Sequence, residues 1–96
     1  MLTSKQRSYL ICLAADLDPV VNVGKAGVNP QALTSLEEAF NTRELVKVNV
    51  QKSCPDEVDV AADKLSKRAH AELVKVIGRK FILYRKSKDS PKIELP

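Results

Sequence analysis

Four residues with almost no side-chain bulk beyond one lysine, Gly24-Lys25-Ala26-Gly27, interrupt the stretch VVNVGKAGVNPQAL. Glycine permits positive φ and lets a ligand approach the main chain closely. Lys25 adds a full positive charge at the tip. Asn29 and Pro30 suit the N-cap and first position of a following helix, whose free N–H groups and partial positive charge attract anions. The chemistry such a segment supports is capture of a phosphate by main-chain donors. Its spacing is neither the GxGxxG of a dinucleotide turn nor the GxxxxGK[ST] of a P-loop. It is GxxG, the pattern with which KH-type modules clamp a nucleic-acid backbone. The same residues also suit a plain strand-to-helix turn with a solvated lysine.

Charge distribution bears on that choice. The 96 residues carry a net charge of +4. Residues 1–62 hold six basic and eight acidic side chains, and residues 63–96 hold ten and four. A basic C-terminal third on a near-neutral body fits an anionic partner, although a solvated Lys/Arg face has the same composition. Catalytic constellations are missing. Asp16, Asp18 and the DEVD run at 56–59 have no companion histidine or nucleophile, and the acids of DEVD suit the first turn of a helix. His70 is the only histidine, so no metal site is expected. Cys12 and Cys54 read as reduced cytosolic thiols, with Cys12 in the core. The N-terminal residues lack the apolar region of a secretory signal, and no run is long enough for a membrane span.

The elements that position the turn follow from periodicity. Thr3 and Gln6 form a capping box, and Leu10, Leu13, Ala14 and Leu17 give one helical face, ended by Pro19. Val20, Val21 and Val23 make a short buried strand. Val28 and Leu33 fit a hydrophobic staple for a second helix, with Leu33, Leu36 and Phe40 on its buried face. Val46, Val48 and Val50 alternate with Lys47, Asn49 and Gln51, a strand with one buried face. Ser53 as cap and Pro55 in the first turn open a third helix, with Val58, Ala61, Ala62, Leu65 and Ala69 inward. Two β-rich runs flank Gly78-Arg79, which fits a type II′ hairpin. Ile93 and Leu95 offer a further edge. Phe81 and Tyr84 fall on opposite faces of one strand, so at most one is free to stack on a base. The order α-β-α-β-α-β-β predicts an α/β fold, a two-layer sandwich with a four-stranded mixed sheet. Residues 1–96 read as one domain, with 86–96 a basic C-terminal tail.

Whole segments are more specific than the glycines. LTSKQRSYL, DPVVNVGKAGVNP, RELVKVNV, ELVKVIGRKFILYR and KIELP together closely resemble the CRM domain family, the YhbY-like proteins of chloroplast RNA splicing and ribosome maturation. The resemblance covers nearly the whole chain. It implies a fold similar to the C-terminal domain of bacterial translation initiation factor three. It implies RNA binding and, as in single-domain bacterial members, association with precursor large ribosomal subunits and a part in their assembly. Gly24, Lys25, Ala26 and Gly27 are then the loop that touches RNA, and Arg79, Lys80, Arg85 and Lys86 are further backbone contacts. The expected partner is large-subunit ribosomal RNA, met by a cytoplasmic monomer without cofactor, small-molecule substrate or membrane. The alternative is a ribosome-associated protein-interaction module whose basic face meets an acidic partner without direct RNA contact. One departure from the family is visible: many members have glycine where the third helix turns into the next strand, and this chain reads RAHAELV. Either His70 then serves that turn with strain, or the loop differs from the family's.

Overall fold

Seven elements succeed one another in the computed structural model, which describes residues 2–87 and 93–96. They are α1 (Ser4–Ala14), β1 (Val21–Val23), α2 (Pro30–Thr42), β2 (Leu45–Val50), α3 (Val58–Arg68), β3 (Glu72–Ile77) and β4 (Lys80–Tyr84). The strands form one sheet in the order β1-β2-β4-β3. β1 and β2 are parallel; β2 with β4 and β3 with β4 are antiparallel. The α/β class, the element order and the mixed four-stranded sheet agree with the sequence pattern.

Local signals set the element starts. Thr3 and Gln6 bond reciprocally as a capping box at α1. Asn29 accepts from the Ala32 N–H at 2.8 Å, and Pro30 opens α2 where its missing N–H costs nothing. Gly78 has φ 61 in the two-residue β3–β4 turn, as a type II′ turn requires.

The layering has one addition to the expected sandwich. Val46, Val48 and Val50 of β2 and Phe81 and Leu83 of β4 face α2 and α3 in a cluster of thirteen buried residues. Leu45, Val74, Ile82 and Tyr84 face the other way, where α1 covers them with Leu10 and Ala14 in a cluster of six. At about 2 kcal/mol per large buried side chain, the first face carries most of the hydrophobic stabilisation. Ile93 and Leu95 do dock, but against the α1 cluster and not as a strand. The rest of the expected basic tail, 88–92, lies outside the described residues.

α1 departs furthest from expectation. It ends at Ala14, not at Pro19. Lys47 Nζ reaches the Ala14 and Leu17 carbonyls at 3.5 and 3.3 Å, so a lysine from the sheet satisfies the helix end. Leu13 and Leu17 are exposed, as is Cys12, which was expected in the core. α1 crosses its sheet face without a neighbouring helix, so only the Leu10–Ala14 line has anything to pack on. Val20 is likewise exposed and precedes β1. α3 begins later than the Ser53 cap predicts: its N-cap is Glu57, with no side-chain cap bond. Residues 51–57 serve instead to pack beside the glycine turn.

Candidate functional site

The parallel pairing of β1 and β2 brings their carboxyl ends, Val23 and Val50, to the same rim of the sheet. β4 runs antiparallel to β2, so the Gly78-Arg79 turn arrives there too. Three connections are stitched together at this rim. The Gln51 N–H donates to the Val23 carbonyl at 2.8 Å and the Val50 N–H to the Arg79 carbonyl at 2.7 Å. The Arg79 guanidinium donates back to the Val50 and Gln51 carbonyls at 3.1 and 2.8 Å. Part of its donor capacity is therefore spent on holding the hairpin against β2.

Gly24–Gly27 is a closed turn, with the Gly27 N–H donating to the Gly24 carbonyl at 2.9 Å. The backbone holds its two glycines differently. Gly27 sits at φ 71, where other residues are strained. Gly24 is not at positive φ. A Cβ there would lie 2.7 Å from Gln51 Oε1, but that is the far end of an exposed side chain that can swing aside, so nothing within the chain itself requires glycine at this position. Lys25 and Ala26 are exposed at the tip. The α2 N-terminus follows with no acidic residue in its first turn, whereas α3 carries Asp59 in its own. Of the two helix ends at this rim, α2 is thus the one with no acid in its own first turn, although Asp56 Oδ2 comes within 3.9 Å of where a Gly27 Cβ would stand.

Lys52 and Lys80 are exposed beside the turn, and with Lys25 they hold no ion pair recorded among the described residues. The rim has a shallow hollow of about 250 Å³ over Lys25, Asn29 and Gln31. A second, of about 480 Å³, lies between Lys52, Arg79 and the start of α3. Asp56 borders that hollow but is paired with Lys64 at 3.2 Å. Glu57 and Asp59 line the same hollow, and Asp56 lies close to Gly27, so the lysines at Lys25, Lys52 and Lys80 alternate with carboxylates along this rim.

Arg85 and Lys86 lie elsewhere. β4 separates them from the hairpin turn by roughly 20 Å. Arg85 donates to the Glu37 carboxylate and to the Ala69 carbonyl, each at 2.9 Å, and lies 4.6 Å from the Phe40 ring centroid. It joins α2, α3 and β4 and leaves little for a ligand. Lys86 is exposed beside it. The eight residues of the sequence-based set thus form a group of six at the rim and a pair at the far end. Aromatic stacking is closed off at the sheet, because Phe81 and Tyr84 are both buried. Burial, and then the Glu44 carboxylate, push the Tyr84 phenol above its ordinary range.

Lys52, Gln51, Asn22 and Asn49 also belong to the rim and were not singled out from sequence. The alternation VNV and VKVNV places both asparagines opposite the buried valines, but only the β1–β2 register aligns them. There Asn49 Nδ2 donates to Asn22 Oδ1 at 3.1 Å.

Comparison with known proteins places the whole chain among relatives. The family model described as the CRS1/YhbY (CRM) domain matches residues 2–85. The chain is 41% identical over 96 residues to YqeI of Bacillus subtilis, named a probable RNA-binding protein, covering 100% of both. It is 35% identical over 95 residues to a protein of Haemophilus influenzae named an RNA-binding protein, covering 99% of this chain and 95% of the relative. The solution structure of SAV1595 from Staphylococcus aureus, described as a candidate RNA-binding protein, superposes with a TM-score of 0.84 at 41% identity over 100% of both chains.

Proposed function

The chain belongs to the CRS1/YhbY (CRM) domain family, and from that premise we propose that it binds RNA by its backbone at the rim formed by the Gly24–Gly27 turn, Lys52, Arg79 and Lys80. The observation that carries this reading is the convergence at one sheet end of a glycine turn with an exposed tip, a helix without an acid in its first turn, and three lysines with no ion pair recorded among the described residues. The relatives, named as RNA-binding proteins, support it. With no aromatic platform at the sheet, phosphate position and RNA shape dominate recognition. No catalytic role is proposed.

In the cell, the proposed partner is large-subunit ribosomal RNA within precursor particles, bound by a cytoplasmic monomer that assists assembly. Two measurements test these levels separately. A titration with structured RNA should show affinity that falls steeply with salt. A density gradient of lysate should place the protein with precursor large subunits more than with translating ribosomes. Salt-insensitive or absent binding overturns the RNA reading. Recovery only in soluble fractions, with precursors present, overturns the assembly role. A second reading has its own observation: Tyr9, Leu13 and Leu17 are exposed together on α1 and its exit, as a protein contact would use. Cosedimentation without RNA binding selects it.

A further inference from the structure

A row of side chains crosses the sheet just below the glycine turn. Asn22 stands opposite Asn49, Asn49 opposite Lys80, and Lys80 opposite Ile77. The row lies on the α1 face, because its neighbours Val21, Val23, Val48 and Val50 point into the other cluster. α1 does not reach it. One pleat away, Lys47 already caps the last carbonyls of that helix. Asn22, Lys80 and Ile77 are exposed and Asn49 is half-buried. Ile77, at 47%, is more exposed than any other exposed large hydrophobic of the described chain.

The bond from Asn49 Nδ2 to Asn22 Oδ1 fixes the two amides against each other. It leaves the Asn22 amino group and the Asn49 carbonyl without a partner recorded among the described residues. The pair thus keeps one donor and one acceptor for a ligand, the two kinds of group that the hydrogen-bonding edge of a nucleobase presents. Three inter-strand steps of about 4.8 Å make the row about 14 Å long, room for two adjacent bases. Lys80 lies between the amide pair and Ile77, where the intervening phosphate would fall. The row is continuous with the lysines of the rim, which supply the charge complementarity for a single RNA strand.

We propose that Asn22 and Asn49 read the edge of one base of a bound RNA strand, with the next base resting on Ile77 and the phosphate between them on Lys80. This rests on the RNA-binding reading above and assigns its base discrimination to the open face of the sheet. The test is fluorescence anisotropy with labelled single-stranded RNA homopolymers of adenylate, cytidylate and uridylate. The parent should favour one of the three by at least about fivefold. The double variant N22A/N49A should bind all three alike, with the parent's salt dependence retained. Where the double variant melts early, N22A alone carries the test, because Asn22 is exposed on a strand edge; it should lose most of the preference. A parent without preference, or a folded variant that keeps it, overturns this inference and leaves backbone binding standing. No binding of any homopolymer or of structured RNA at low salt overturns both.

Discussion

At the rim, Lys25, Lys52 and Lys80 extend into solvent and hold no ion pair recorded among the described residues. At the other end of the same sheet, Arg85 lies over Phe40 and bonds Glu37 and the Ala69 carbonyl. Close by, the buried Glu44 carboxylate accepts the Ser87 and Ile93 N–H groups, each at 2.7 Å. Arg79 stands between these cases, exposed yet clamped to two carbonyls. A charged residue's use is set by the partners the fold supplies, and residues only six apart in sequence fall into different classes. Positive φ divides the same way. At the rim it falls on Gly27 and Gly78; at the far end it falls on His70, at φ 55.

The largest effect should come from the far end. Arg85→Ala removes a cation–π contact, an ion pair and a bond to the end of α3 together. It should lower unfolding stability by about 2 kcal/mol, while the salt slope of RNA binding stays as in the parent. A stable R85A protein with weakened RNA binding would erase the distinction between the two ends. Next is the rim. Changing Lys25 and Ala26 both to aspartate, with the glycines kept, should leave the melting temperature unchanged and weaken RNA binding about tenfold, or about 1.4 kcal/mol. Undiminished binding by the folded variant would reduce the turn to a connection.

Strain sharpens the comparison from a third side. His70 occupies the left-handed position after α3, and the Ala71 and His70 N–H groups donate to the Ser66 and Lys67 carbonyls at 2.9 and 3.3 Å, the bonding of a Schellman cap. His70→Gly should relieve about 1 kcal/mol and raise the melting temperature by about 5 °C, with RNA affinity untouched. A lower melting temperature would mean that the imidazole makes contacts worth more than the strain. The smallest effect is a slope. Lys80→Ala should reduce the log–log salt dependence of single-strand binding by roughly 0.7, whereas Arg79→Ala should also loosen the hairpin and lower stability. Equal behaviour of the two variants in calorimetry would remove the intermediate status given to Arg79.

What sequence revealed was local. The Thr3–Gln6 box, the Asn29 cap, the valine alternation of β2 and the glycine hairpin are decided within a few residues, and each is present. The strained His70 was legible too, as a departure from a glycine position. What failed depended on partners distant in the chain. Pro19 marked a stop, yet α1 ends earlier, at Ala14, where Lys47 bonds the terminal carbonyl. Cys12 and Leu13 are apolar enough for a core, but among the described residues no second helix covers that side of α1. Gly24 and Gly27 read as one device, yet only Gly27 is held at positive φ. Arg79 and Arg85 looked alike until the length of β4 parted them.

β1 is three residues long and, among the described residues, forms the edge of the sheet with β2 as its only partner strand. Yet it is the strand that leads into the glycine turn. Opening free energies within one native protein range from near zero at such margins to the full unfolding value in central strands. Amide hydrogens of Val21–Val23 should therefore exchange with solvent well before those of β2 and β4. A ligand that binds only the closed form suppresses opening in proportion to its saturation. RNA held at the turn should accordingly slow exchange in β1 first and most, so that the least protected strand of the free protein becomes the reporter of occupancy.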